Sequence, residues 1–563
     1  MKRWIALAGI VLLGVAAVVV SERRKVEASA SPAALLYLVA DSEQELTRMP
    51  VRFTRMSDAE EIRIGDELAH FYSQSADEKK QPETVVIEKY LAQVGAPLAR
   101  RAHRILPYRF HYLPGPYLIN AFALPGGHIY VGGGLLTLMD SEDELAAVLG
   151  HEIEHVDHYH CAERVQKEQA LRRIPLGGLV AIPIEIFEAG YSKDQELEAD
   201  REGTRLAVQA GYSANGAIRM FETFQRLFNE YQVRAKTPEQ ELSQVAQQAL
   251  EGYFRSHPLP SERIAQVQTM IASEGWTPRA ERDLAVAYIF WTARAQEALN
   301  ANKYQQAEQF AMRSLKLKPD QQKALVILAQ ARFAQADFVG AAASYRKLLN
   351  GNPANDSLAQ PYALALAAAE RKSAAAEFRR WLDSVGSEKP SDSDVLLSGL
   401  TLLAGDPAPL HGLELRTKQS SDEERPVRLG ALGWWYYQAG NYESAAELLG
   451  EAVQERPGDA KLWVERTWSL IELRRLSDAI QTANAFYDEA TKSERLMAQA
   501  VAYWQAKQPV QAMSSFETAA AGQPEWTNPR WVKALYSPLV AQSVQEMQAE
   551  QERRRQARLA SKR

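Results

Sequence analysis

The stretch Ser141–His160 reads SEDELAAVLGHEIEHVDHYH. Ser141 with Glu144 three residues on is an S-x-x-E capping box. The hydroxyl accepts the N–H of the third helical residue, and the Glu side chain reaches back to the N-cap N–H. Leu145, Val148, Leu149 and Ile153 then supply an apolar face at helical spacing, so a helix is expected from Ser141 to about His160. On it His151 and His155 are four apart, one turn apart on one face. Their ring nitrogens can meet one Zn2+ at about 2.0–2.1 Å. Glu152 lies beside that face, suited to take a proton from water and hand it to a leaving amine. This H-E-x-x-H pattern implies metal-assisted hydrolysis.

A catalytic zinc needs a third protein ligand and an open position. Downstream, Gln195-Glu196-Leu197-Glu198-Ala199-Asp200 falls on a second expected helix, about 193–210, closed by Gly211. Glu196 and Asp200 are four apart and share a face. Two readings stay open on spacing alone. Glu196 is a carboxylate ligand with Asp200 holding the far N–H of a ligand imidazole, or both acids belong to a solvated face beside Lys193 and Arg201. Between the helices, Ile174–Pro183 (IPLGGLVAIP) is apolar with Pro and Gly, either a lid or membrane-proximal loop or a plain packed connection. Upstream, residues 55–105 have helical periodicity. Ala121–Leu124, Pro125-Gly126-Gly127 and His128–Val131 read as strand, turn, strand.

The rest of the chain bounds the reading. At 563 residues it is too long for a single core. Hydrophobic residues at 46% and charged residues at 24% suit a globular protein. The net charge of -6 leaves no basic footprint, so nucleic acid is not expected as a partner. Cys161 is the lone cysteine, which rules out an intrachain disulfide and a thiolate metal site and leaves His and carboxylate as ligands. Lys2 and Arg3 precede an apolar run from Trp4 to Val20, and Ala28-Ser29-Ala30 has the form of a cleavage site. Export to the periplasm or cell envelope is expected, soluble after cleavage or anchored by residues 4–20, where the segment would contact membrane.

From about 285 the sequence repeats. Tyr304 and Phe338 are 34 apart, as are Tyr442 and Leu476. Ala307, Ala341, Ala445 and Ala479 follow each by three residues; Pro319, Pro353 and Pro457 follow the aromatics by fifteen. Pro509, Ala512 and Pro524 keep the same offsets, Lys372 with Ala375 continues them weakly, and 390–430 is degenerate. That period and Ala…Pro texture is the tetratricopeptide pattern, in which each repeat is a helix pair.

Five motifs now stand in order: Asn120–Gly127 (NAFALPGG), Gly134-Leu135-Leu136, His151–His155, Glu196–Asp200 and His257–Arg263 (HPLPSER). In order and spacing the chain resembles the M48 family of metallopeptidases, in its periplasmic branch with C-terminal tetratricopeptide repeats. The resemblance implies Glu196 as third zinc ligand, Asp200 as its supporting carboxylate, and one Zn2+ per chain. It implies that the strand around Asn120, Ala121 and Phe122 is an edge to which an extended peptide adds. Arg263 would polarise the scissile carbonyl or its oxyanion. For His257 three roles stay open: oxyanion stabilisation, a swing onto the metal that blocks it, or a cap on the Pro258–Pro260 turn.

The expected fold is mainly α with a small β-sheet, a zincin-like α+β metallopeptidase domain followed by an α-helical solenoid. The expected organisation is a signal peptide or membrane anchor at 1–30, a tether at 31–54, the metallopeptidase domain at 55–275, the repeats at 285–535 and a basic helical tail at 536–563. The expected function is a zinc-dependent endopeptidase in envelope protein quality control, acting on misfolded or stalled outer-membrane proteins, with repeats that recruit protein substrates or assembly machinery. The rival reading is a repeat-based periplasmic chaperone or assembly adaptor whose metal site is silent.

Overall fold

The computed structural model describes residues 56–74, 81–115, 118–172, 191–234, 260–420 and 423–560. The N-terminal apolar run, the 174–183 segment and His257 lie outside the described residues. The chain divides into two units, Met1–Val286 and Ala287–Arg563.

In the first unit the described elements are α1 (Asp58–Gln74), α2 (Pro82–Ala99), β1 (Arg109–Leu113), β2 (Ala121–Leu124), β3 (His128–Gly132), α3 (Gly133–Leu136), α4 (Glu142–Asp157), α5 (His160–Arg172), α6 (Lys193–Gln209), α7 (Asn215–Arg234) and α8 (Pro260–Glu274). The expected strand–turn–strand is present. β2 pairs antiparallel with β3 across a 3-10 turn in which Gly126 and Gly127 have φ of 75° and 96°. A side chain at either φ would be strained, which is why glycines sit there. β1 adds to β3 in parallel, giving the order β1-β3-β2 and leaving β2 on an edge. The Gly132 N–H donates to the Asn120 carbonyl at 2.9 Å. Antiparallel alternation then turns the peptide groups of Ala121 and Ala123 away from β3, toward the open side of β2.

The capping box of α4 forms as read. The Glu144 N–H donates to Ser141 Oγ at 3.2 Å, and Glu144 Oε2 accepts from the Ser141 N–H at 3.4 Å. The helix stops at Asp157 rather than His160, because Tyr159 takes a left-handed φ of 62° and α5 starts afresh after it. The Arg104 guanidinium holds that corner. It donates to the Val156 carbonyl at 2.6 Å and lies 3.7 Å over the Tyr159 ring. Helix α6 carries its own box, Ser192 with Gln195.

The contact that sets α4 and α6 together is between glycines. A Cβ on Gly203 would fall 2.6 Å from the His151 backbone nitrogen, and one on Gly150 would fall 2.6 Å from the Gly203 carbonyl oxygen. These neighbours are backbone atoms of packed helices and cannot swing aside, so α4 and α6 approach closely only because neither residue has a side chain.

The second unit is helical throughout its described elements. It holds seven helix–turn–helix pairs among the described residues, from Ala287–Asn300 with Tyr304–Leu317 to Lys492–Gln505 with Pro509–Gly522. Tyr304, Phe338, Tyr442 and Leu476 each open the second helix of a pair. Ala307, Ala341, Ala445 and Ala479 are fully buried between helices, the use expected of the small repeat position. At the weak repeat the register slips by one: Ala374, not Ala375, is the buried alanine. The degenerate stretch is still a helix pair, Ser393–Leu403 with Ala408–Gln419, where Leu410 and Leu413 are buried instead of alanine. Pro538–Ala560 forms a long final helix. No described helix is long and apolar enough to cross a membrane.

Substituting Gly203→Ala is expected to force the two helices apart, at a cost of about 1–3 kcal/mol in unfolding stability and with weakened zinc retention. Gly458→Ala, where nothing lies within 4 Å of the new methyl, is the control. Urea unfolding together with zinc content checks both; an unchanged Gly203→Ala protein would contradict the close-packing account.

Candidate metal centre

Helix α4 presents His151 and His155 one turn apart, and α6 brings Glu196 against them. His151 Nε2 and His155 Nε2 are 3.0 Å apart. Glu196 Oε2 is 3.5 Å from the first and Oε1 is 3.6 Å from the second. All three residues are buried. Donors on one tetrahedral ion at about 2.0–2.2 Å are spaced by roughly 3.3–3.5 Å, so the three atoms already stand near the edges of such a polyhedron. Two imidazoles and a carboxylate are a donor set that suits zinc.

The electrostatics agree with that fit. Burial disfavours a charged His151 imidazole, yet its hydrogen bonds to the Asp200 and Glu196 carboxylates outweigh it and raise its pKa to about 10. A proton is thus held strongly between two buried carboxylates, which marks a place that calls for positive charge.

Each ligand is held from behind. His151 Nδ1 is 2.8 Å from Asp200 Oδ1, which directs Nε2 into the centre. Asp200 is clasped in turn by Arg263, whose Nε donates to Oδ2 at 2.6 Å while its guanidinium lies 4.2 Å over Phe221. Burial pushes the Asp200 carboxyl up, but Arg263 and His151 more than reverse this and keep it ionised. The Tyr191 N–H donates to Glu196 Oε1 at 3.1 Å, and the Tyr191 ring stacks on His155 with centroids 4.0 Å apart.

From the sequence, His158 and His160 beyond the motif are each expected at the surface or behind a ligand rather than on the metal, and the structure puts His160 behind His155. His155 Nδ1 lies 2.9 Å from His160 Nδ1, and His160 Nε2 lies 3.4 Å from Glu198 Oε2. The separation of five between His155 and His160 does not match one helix face. It becomes a contact only because the chain breaks at Tyr159, and a strained residue after an H-E-x-x-H helix leaves no mark in periodicity. His158, further out, is 30% exposed.

Glu152 is buried beside the donors. Burial raises its carboxyl pKa to about 7, His151 pulls it down and Glu196 pushes it up. A carboxyl poised there can both accept and return a proton near neutral pH. Glu152 and His151 line one pocket together with Ala121 of the edge strand, Met220, Phe221 and Arg263. The structure therefore gathers His151, Glu152, His155, Glu196, Asp200, Arg263 and Ala121 at one place. Phe122 is buried nearby in β2 and stacks on Tyr130 at 5.1 Å, within the core rather than in the pocket. Arg263 turns its Nε toward Asp200, an orientation by which it positions the carboxylate behind His151.

Residues 86–271 match the model of peptidase family M48, and residues 436–502 match a tetratricopeptide repeat. Among the relatives is a beta-barrel assembly-enhancing protease of Vibrio cholerae, 34% identical over 202 residues, which cover 32% of this chain and 38% of that one. The beta-barrel assembly-enhancing protease of Escherichia coli (strain K12) is 25% identical over 236 residues, 38% of this chain and 44% of that one. The mitochondrial metalloendopeptidase OMA1 of Schizosaccharomyces pombe is 26% identical over 210 residues, 36% of this chain and 55% of that one. The chain thus spans less than two thirds of the length of each relative. It carries a peptidase M48 domain, with the buried His–His–Glu donor set inside the matched stretch, and tetratricopeptide repeats behind it.

Proposed function

We propose that the chain is a zinc-dependent endopeptidase of the cell envelope. The observation that carries this reading is the convergence of donor atoms from His151, His155 and Glu196 on one point, with His151 and the buried Glu152 lining the pocket beside it. Those three side chains would hold one zinc ion, which when bound would supply Lewis acidity and lower the pKa of a bound water. Glu152 is the general base that takes the proton and the acid that delivers it to the leaving amine. Asp200 fixes the His151 tautomer, and Arg263 fixes Asp200.

The substrate lies along β2 as an added strand, meeting the outward peptide groups at Asn120–Phe122. Backbone pairing of this kind reads many sequences, which suits a quality-control peptidase. Support comes from the edge position of β2 and from Ala121 lining the same pocket as Glu152. The neighbouring outward carbonyl, Ala123, already accepts from Cys161 Sγ at 3.5 Å, which leaves the Ala121 end for the guest strand. His257 acts on the oxyanion or as a brake on the metal. By likeness to the beta-barrel assembly-enhancing proteases, the substrates are misfolded or stalled outer-membrane proteins. The repeats, over about 285–535, recruit them or the machinery that assembles them. Residues 1–30 direct or anchor the chain to the envelope, followed by the tether, the catalytic domain over 55–275 and, at the far end, the basic tail.

Two variants test the chemistry. Glu152→Gln should keep one zinc and lose casein cleavage by about 10²–10⁴-fold; full activity in that variant would remove Glu152 from its role. Asp200→Asn keeps the shape but not the charge behind His151, and should weaken zinc by about 10–100-fold in a chelator competition. An unchanged affinity would show that Asp200 does not tune the ligand.

A further inference from the structure

A second group of metal-type side chains sits where α4 ends. Glu154, Asp157 and His158 each offer a ligand atom, and these atoms all lie within 4.8 Å of one another. None of the three belongs to the His151–His155–Glu196 centre. Glu154 is 1% exposed, and its Oε2 is buried without a hydrogen-bond partner. His158 Nε2 is likewise buried without one. The two atoms are 3.1 Å apart, at hydrogen-bond distance yet outside hydrogen-bond alignment. Two atoms that share an ion at about 2.0–2.2 Å, at angles near 90–110°, are spaced by roughly 3.0–3.5 Å. A protonated His158 would pair with this buried oxygen, whereas a neutral imidazole leaves it without a donor, which is costly, and an ion between the two removes that cost.

The surroundings favour a cation. The cluster sits at the C-terminal end of a 16-residue helix, where the backbone dipole is negative. Glu198 of α6 stands 3.7 Å from His158 Nδ1, adding further negative charge. The Arg104 guanidinium donates to the Val156 carbonyl and bonds Asp58 and Glu61, and Arg201, 3.9 Å from Glu198, pairs with Glu202 at 2.9 Å. Asp157 is already oriented: its Oδ1 accepts the backbone N–H of Arg104 at 2.7 Å and its Oδ2 the backbone N–H of His103 at 2.9 Å, with the His103 ring Nδ1 also 2.9 Å from Oδ2. His158, 30% exposed, gives an ion a way in from solvent.

We propose that Glu154, Asp157 and His158 form a second divalent-cation site, separate from the catalytic centre, that takes zinc or a similar borderline ion and braces the end of the α4 helix. One imidazole with two carboxylates suits Zn2+ or Mn2+ more than a hard ion of the Ca2+ type. The site does not depend on the peptidase reading, because it is counted by metal content whatever the activity.

The test is zinc stoichiometry on the full chain, with Zn2+ as the probe, after dialysis against micromolar zinc. Wild type should bind two ions, and His158→Gln and Glu154→Gln one each. His155→Ala, which disables the catalytic centre, should also retain one. His158→Gln carries the result if the buried Glu154→Gln protein fails to fold, since His158 is partly exposed. One ion in wild type, or two in a folded His158→Gln protein, overturns the proposal.

Discussion

The candidate metal centre depends on two helices being allowed to touch. Gly150 precedes His151 directly, and Gly203 lies one turn beyond the Glu196–Asp200 stretch. At their crossing, a single methyl group on either residue would strike backbone. The donor atoms are only 3.0–3.6 Å apart, so a shift of an ångström between the helices would take Glu196 out of reach of an ion held by the histidines. Packing, in the sense of backbone against backbone, therefore comes before coordination.

Charge then completes what packing permits. Glu196 and Asp200 are two buried carboxylates on one helix face. Desolvation makes such a pair expensive unless cations meet it. Arg263 meets Asp200, and an ion at His151 and His155 would meet Glu196. From Arg263 through Asp200 to His151, and from Glu198 through His160 to His155, each ligand is backed by a polar chain. Such chains fix which ring nitrogen faces the centre. Glu152 has no such obligation, and burial leaves its carboxyl free to gain and lose a proton near neutrality.

Much of this was legible before any coordinates. The capping box at Ser141, the shared face of His151 and His155, the hairpin at Ala121–Val131 and the 34-residue repeat period are local patterns, and local patterns survive in a sequence. The spacing of Glu196 and Asp200 showed a shared face but not whether it was buried, because burial comes from the partner helix. Whether His160 supported the site or lay at the surface stayed open in the sequence, because its contact with His155 needs the left-handed turn at Tyr159. The Gly150–Gly203 contact was equally silent, as glycines 53 residues apart carry no periodic signal. The repeat alanine slipped from Ala375 to Ala374 because a helix start, once shifted by a residue, carries its buried face with it.

The account's central claim is that one zinc ion sits between His151, His155 and Glu196 with Glu152 beside it. Anomalous diffraction from crystals at the zinc absorption edge tests this most directly. The account predicts a peak at about 2.0–2.2 Å from both Nε2 atoms and a Glu196 oxygen. A fully loaded protein with no peak at that point, or with Glu196 turned away from it, would contradict the account.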